Sequence, residues 1–125
     1  MSARFAIAAT AIDGLTTLTR KPVGDDRGWL ERMFCRDDLA PVIGDRRIVQ
    51  INRTLTRNVG AVRGMHFQHA PSAELKIVSC LRGEVFDVAV DLRAGSPTFR
   101  QWRAERLSPE RATSFVIPEG CAHGF

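Results

Sequence analysis

Three histidines and one lysine concentrate the chemistry that this sequence can offer. His66 and His69 lie three residues apart in "RGMHFQHAPSAELK", which ends on Lys76, and His123 closes "PEGCAH". Two readings of these residues stand side by side. In the first, a sheet gathers His66, His69, Glu74 and His123 around a divalent ion, since imidazole and carboxylate are common ligands for such metals. In a regular strand, however, His66 and His69 point to opposite faces. Gln68, on the same face as His66, offers a carboxamide, which is a poor substitute for imidazole. In the second reading His66 is a general base, because imidazole titrates near neutral pH and can accept a proton there. Lys76 is then a nearby cation that stabilises negative charge on a carbonyl oxygen while a neighbouring C–H bond loses its proton. Such chemistry needs no metal and no organic cofactor.

Arg27 in "DDRGW" and Arg63 in "VRGMH" each precede a glycine, where bare backbone lets a bulky anion approach. Two guanidinium forks suit a diphosphate. Strict alternation puts Arg63 and His66 on opposite faces of a strand, so a bulge at Gly64 is required if both are to serve one cavity.

Strands must hold these residues. Period-two alternation and turn residues dominate, and helical periodicity is nearly absent. Strands are expected over 15–20, 29–35, 48–54, 61–68, 75–81, 84–92, 99–107 and 113–117. The stretches "GDDRG", "RNVG", "RG", "RAGSP" and "SPER" between them carry the residues that tight turns favour. One short helix fits 37–43, "DDLAPVI", with Asp37 and Asp38 as an acidic N-cap pair. In "GEVFDVAVDL", Phe86, Val88, Val90 and Leu92 share one face, and Val85, Asp87, Ala89 and Asp91 the other. "LKIVSCLRG" joins that strand through Arg82-Gly83 as a close hairpin. Many short strands at this spacing predict an all-β double-sheet roll or barrel, and the 125 residues predict a single domain.

A hydrophobic content of 44% and a charged content of 26% are those of a globular chain, and no apolar run approaches membrane-crossing length. The N-terminal "MSARFAIAATAI" imitates a secretory signal only weakly, since its apolar stretch is of minimal length and Asp13 follows at once. Cys35, Cys80 and Cys121 form no CxxC pair, and their odd number cannot close a disulfide framework, which points to a reducing cytoplasm. The net charge of +4 comes from sixteen arginines against two lysines, and planar guanidinium groups suit phosphate and carboxylate partners. There is no lysine-rich tail, no aromatic-interleaved basic run and no nucleic-acid motif, so a polynucleotide partner is not indicated.

Taken together, "GDDRGWLER", "IVQINRT", "VRGMHFQ", "LKIVSCLRGEVFDVAVDLRAGSPTF", "LSPE" and "IPEGCAHGF" resemble the dTDP-4-dehydrorhamnose 3,5-epimerase family in identity, order and spacing, from about residue 24 to 125. The resemblance implies a cupin-type jelly roll, normally a homodimer. It implies epimerisation of a dTDP-linked 4-keto-6-deoxy sugar at C3 and C5 without metal or cofactor. His66 would be the proton acceptor and Lys76 would face the C4 oxyanion. Arg27, Glu31, Gln50, Asn52, Arg63 and His123 match the positions that hold the dTDP and sugar parts. Of the two cupin metal motifs, "PEGCAH" matches Pro-x-Gly-x-x-His, while Gln68 breaks His-x-His. The sequence departs from the family at Ile51, where an acidic residue is common, at Ser79, where a basic one is common, and at Glu74, in place of Gln or Gly. In the family, a proton-donating tyrosine and an aspartate that pairs with the base histidine follow "AHGF", and this sequence holds no tyrosine. The chain is therefore expected to be a C-terminally truncated member with impaired catalysis. Alternatives are a metal-dependent cupin enzyme and a non-catalytic sugar-nucleotide binding module.

Overall fold

The computed structural model describes residues 4–125, so the first three residues of the signal-like stretch lie outside the described ones. Among the described residues the strands are β1 (Phe5–Ala9), β2 (Thr16–Arg20), β3 (Val23–Asp25), β4 (Gly28–Leu30), β5 (Lys76–Ser79), β6 (Val85–Asp91), β7 (Trp102–Leu107), β8 (Thr113–Ile117) and β9 (Cys121–Gly124), with one short helix, α1 (Ala40–Ile43). A four-stranded sheet runs β1-β2-β8-β5, a three-stranded sheet runs β7-β6-β9, and β3 and β4 pair with each other. All pairings are antiparallel.

The two larger sheets face each other across the core, in the jelly-roll arrangement that the strand pattern predicts. Phe115 and Ile117 of β8 pack with Ala89 of β6, Leu107 of β7 and Cys121 of β9, joined by Ile12, Leu15 and Cys80. Leu18 and Val116 point the other way and pack with Phe5, Leu39 and Ile43 on the outer face of the four-stranded sheet. Each fully buried Leu, Ile or Phe contributes roughly 1.5–3 kcal/mol.

The strand expected over 113–117 is present with those bounds, and those over 75–81, 84–92 and 99–107 are present in shorter form. The strand expected over 29–35 contracts to Gly28–Leu30 and belongs to the hairpin. No strand forms over 48–54, and 61–68 keeps a single bridge, at His66. Alternating apolar residues make a strand only where a neighbour accepts their backbone bonds, and here Val49, Ile51 and Val62 remain 83–84% exposed. Conversely, β1 and β9 form where alanine-rich "FAIAA" and "CAHG" carry little strand propensity, because β2 and β6 offer them partners. The helix starts later than expected. Leu39, not an aspartate, is its N-cap and makes no side-chain capping bond. The two carboxylates are drawn elsewhere, Asp38 to Arg32 at 3.3 Å and Asp37 to Arg36 at 3.5 Å.

Two local devices shape the site. The first is the segment that lies along the free side of β9. Arg63 and Phe125 exchange two backbone hydrogen bonds, at 2.6 and 2.8 Å, and His66 and His123 exchange two more, at 2.8 and 3.0 Å. Three residue steps on one side thus match two on the other, with Gly64 and Met65 together opposite Gly124. This is the bulge that the sequence requires at Gly64, and it turns Arg63 and His66 to the same face. Gly64 has φ +117°, and a Cβ there would come within 2.7 Å of the Gly124 Cα and 2.8 Å of the His123 carbonyl oxygen. Only glycine fits.

The second device is Asp91, fully buried at the end of β6. Its carboxylate accepts bonds from the Arg93 backbone nitrogen (3.0 Å), Arg93 Nε (2.9 Å), Ser96 Oγ (2.5 Å) and Thr98 Oγ1 (2.6 Å), which wraps "RAGSPT" around it. Burial pushes this carboxyl up, but the donors of Arg93, Ser96 and Thr98 outweigh it and hold it far below the usual carboxylate range. The stem of Arg93 lies against Gly120, and Leu92 donates its backbone N–H to the Gly120 carbonyl at 3.0 Å, so this loop braces the turn that leads into His123.

Replacing Gly64 with Ala should therefore cost about 2–3 kcal/mol in urea-induced unfolding, because positive φ and the clash with β9 act together. Asp91→Asn should cost about 3 kcal/mol at neutral pH. A depressed carboxyl stabilises the fold above its unfolded pKa of about 4, and that contribution is lost as pH falls toward the folded value. The gap between wild type and Asp91→Asn should thus be constant above about pH 5 and narrow below about pH 4.

Candidate active site

Residues directly opposite each other on antiparallel strands present their side chains on the same face. His123 lies opposite Ala89 on one side and His66 on the other. Ala89 is part of the inter-sheet core, so both imidazoles belong to the face that looks into the space between the sheets. Asp87, two residues from Ala89, shares that face. Lys76 approaches from the opposite sheet: it pairs with Ile117 and lies two residues from Val78, both of the same core. The register of four strands and one bulge thereby assigns His66, His123, Asp87, Arg63 and Lys76 to one inter-sheet space.

Within it, His123 Nε2 lies 2.6 Å from Asp87 Oδ1, and the two side chains are 11% and 0% exposed. An ionised carboxylate can only accept, so in this contact His123 Nε2 donates to Asp87 Oδ1. The second carboxylate oxygen, Asp87 Oδ2, is buried and finds no hydrogen-bond partner among the described residues. Lys76 Nζ is 3.8 Å from Glu74 Oε1 in a partly exposed pair. The Gln68 amide, turned so that its nitrogen donates, lies 3.2 Å from the same oxygen. Such a pair holds the ammonium only weakly, by about 1 kcal/mol or less, and leaves it available.

Arg63 shares that face, with Nη2 donating to the Leu55 carbonyl at 2.9 Å. The remaining predicted site residues lie apart. Arg27 is 90% exposed on the β3–β4 hairpin, with its guanidinium 2.6 Å from Asp25. Gln50 and Asn52 are exposed in irregular chain. Glu31 sits on the outer side of the four-stranded sheet, 3.0 Å from Arg20. The metal reading finds no support in the geometry: among the described residues no three His, Cys, Asp or Glu side chains converge, and His69 packs edge-on against Phe67 at 4.7 Å. His66 and His123 do meet, through the backbone.

Asp87 is the candidate site residue that sequence reasoning missed. The apolar set Phe86, Val88, Val90 and Leu92 is the outward face of β6, with Phe86 55% and Leu92 39% exposed, whereas Asp87, Ala89 and Asp91 are fully buried. The signal was the pair of carboxylates on one strand face with two small apolar residues, since an acid is kept in such a place only with a partner.

Residues 9–125 match the family model described as dTDP-4-dehydrorhamnose 3,5-epimerase. The chain is 44% identical over 102 residues to the dTDP-4-dehydrorhamnose 3,5-epimerase of Sinorhizobium fredii (strain NBRC 101917 / NGR234), covering 82% of this chain and 52% of that relative. It is 42% identical over 120 residues to the enzyme of the same description from Salmonella typhimurium, covering 95% and 65%. The solved dTDP-6-deoxy-D-glucose-3,5-epimerase of Legionella pneumophila, in complex with dTDP-4-keto-L-rhamnose, superposes with a TM-score of 0.89 at 43% identity, over 97% of this chain and 64% of that one. The chain thus spans between half and two-thirds of the length of these curated relatives. With a family match over nearly the whole sequence and a jelly roll superposing on solved relatives, the chain belongs to the dTDP-4-dehydrorhamnose 3,5-epimerase family.

Proposed function

We propose that the inter-sheet space receives a dTDP-linked 4-keto-6-deoxy sugar and that His66 removes the proton next to its ketone, the step from which epimerisation at C3 and C5 proceeds. The ketone acidifies both neighbouring C–H bonds. As the proton passes to the His66 imidazole, the C–H electron pair forms the carbon–carbon double bond of an enolate, and charge gathers on the C4 oxygen. Lys76, rising from the facing sheet, supplies the cation for that oxygen. Return of a proton to the same face restores the ketone with solvent hydrogen in place, and delivery to the opposite face inverts the centre. The chemistry calls for no metal or organic cofactor.

In this reading His123 contacts the sugar, its ring held by Asp87, and Arg63 exchanges the Leu55 carbonyl for a diphosphate oxygen. Arg27, Gln50 and Asn52 serve the nucleotide from exposed segments. The chain acts as one domain, in the cytoplasm, where its three free cysteines stay reduced. It works as a homodimer, whose second subunit covers the apolar side chains of Val49, Ile51 and Val62. The observation that carries the reading is the three-against-two pairing that turns His66 to the face of His123 and Arg63.

The test is proton NMR of dTDP-4-keto-6-deoxyglucose in D2O. The chain should wash out the C3 or C5 proton signal, and His66→Ala should slow this by about a thousandfold. Equal rates in both, or no exchange with the unaltered chain, would contradict the assignment. Asp87→Asn keeps the shape but not the charge that orients His123, and the same exchange should slow by about tenfold to a hundredfold while the far-ultraviolet circular dichroism stays unchanged.

A further inference from the structure

We infer that Arg20 is a positioning residue whose buried guanidinium holds Glu31 and so aims the β3–β4 hairpin that presents Arg27. Glu31 then acts on a bound nucleotide through position, not through contact. This rests on the nucleotide-binding reading above and adds to it a part for two residues outside the inter-sheet space.

Arg20 ends β2, on the outer face of the four-stranded sheet, with its side chain 1% exposed. Its Nη1 donates to Ser114 Oγ on β8 and, at 3.5 Å, to Ser79 Oγ on β5. The two serine hydroxyls are 2.6 Å apart. Its Nε lies 3.0 Å from Glu31 Oε1, whose side chain is 11% exposed. One side chain therefore spans three strands and catches the residue that follows β4. A charge taken out of water must be paired, and here Nη1 serves two hydroxyls while Nε, which makes no aligned hydrogen bond, meets Glu31 as an ion pair, a combination that the compact ammonium of lysine cannot reproduce.

Among the described residues the hairpin has little else to aim it. The six residues of β3 and β4 are exposed and pair with each other. One leg is held where Lys21 donates its backbone N–H to the Arg4 carbonyl at 2.9 Å, and the other where Glu31 meets Arg20. Arg27 lies between these two anchors, braced only locally by Asp25. Release of Glu31 would leave the hairpin attached by one leg, free to swing Arg27 away.

The proposal is tested in a Trp102→Phe background, where Trp29 on β4 is the remaining tryptophan and reports hairpin motion by time-resolved fluorescence anisotropy. Affinity for dTDP is measured by calorimetry in parallel. Arg20→Met and Glu31→Gln should each weaken dTDP binding about tenfold and give Trp29 fast local motion, and the double variant should be no worse than either single one. Arg20→Lys should fall between them and the wild type. The proposal is overturned if Glu31→Gln weakens dTDP binding while the Arg20 variants leave both affinity and Trp29 motion unchanged, for Glu31 would then touch the ligand itself. It is equally overturned if Trp29 stays rigid in every folded variant. Should Arg20→Met fail to fold, Arg20→Lys and Glu31→Gln carry the same comparison. If the wild type does not bind dTDP, the nucleotide reading fails, and Trp29 motion alone decides whether the latch exists.

Discussion

The antiparallel pairing of His66 with His123 is the interaction on which the rest of the site depends. Without its two backbone hydrogen bonds, at 2.8 and 3.0 Å, residues 61–68 would be tied to the sheets only where Arg63 meets Phe125, and His66 would have no fixed face. With them, His66 inherits the orientation of β9, which β6 in turn fixes against the core. The bulge then extends this control to Arg63, because two residues opposite one reverse the alternation. Position in the site is thus written in backbone register, and the cost of losing it is an inverted face, not a small displacement.

A second constraint is the burial of carboxylates in β6. Asp87 and Asp91 are both fully buried, and each is made tolerable by different means. Asp91 is surrounded by donors and shapes a loop. Asp87 has one imidazole partner and one oxygen left over, an arrangement that keeps the His123 ring in a single orientation at some expense of stability. The two aspartates stand four residues apart on one strand, and the loop around Asp91 braces the turn that delivers His123 to Asp87.

Much of this was legible in the sequence. Alternation in "VFDVAVD" and "TSFVI" marked β6 and β8, and the need for a bulge at Gly64 followed from the spacing of Arg63 and His66 alone. The motif residues named His66, Lys76, Arg63 and His123, which the register assigns to one space. What could not be read was which face of β6 turns inward, because Phe86 and Val88 are the more apolar set and yet face outward. Nor could periodicity foresee that 48–54 would stay without a strand partner, since alternation describes a side-chain pattern and says nothing about where the backbone bonds go. The position of Glu31 was hidden for a related reason: a short-range motif cannot tell which side of a sheet a residue reaches after a hairpin, and here Glu31 meets the buried charge of Arg20.

The most direct measurement is amide hydrogen exchange, followed by NMR, at Arg63, His66, His123 and Phe125. If the three-against-two register holds, these four amides exchange slowly and as one cooperative group, while those of residues 46–60 exchange rapidly. If Arg63 and His66 instead exchange as fast as residues 46–60, the segment is not docked on β9. His66 would then have no defined place in the site.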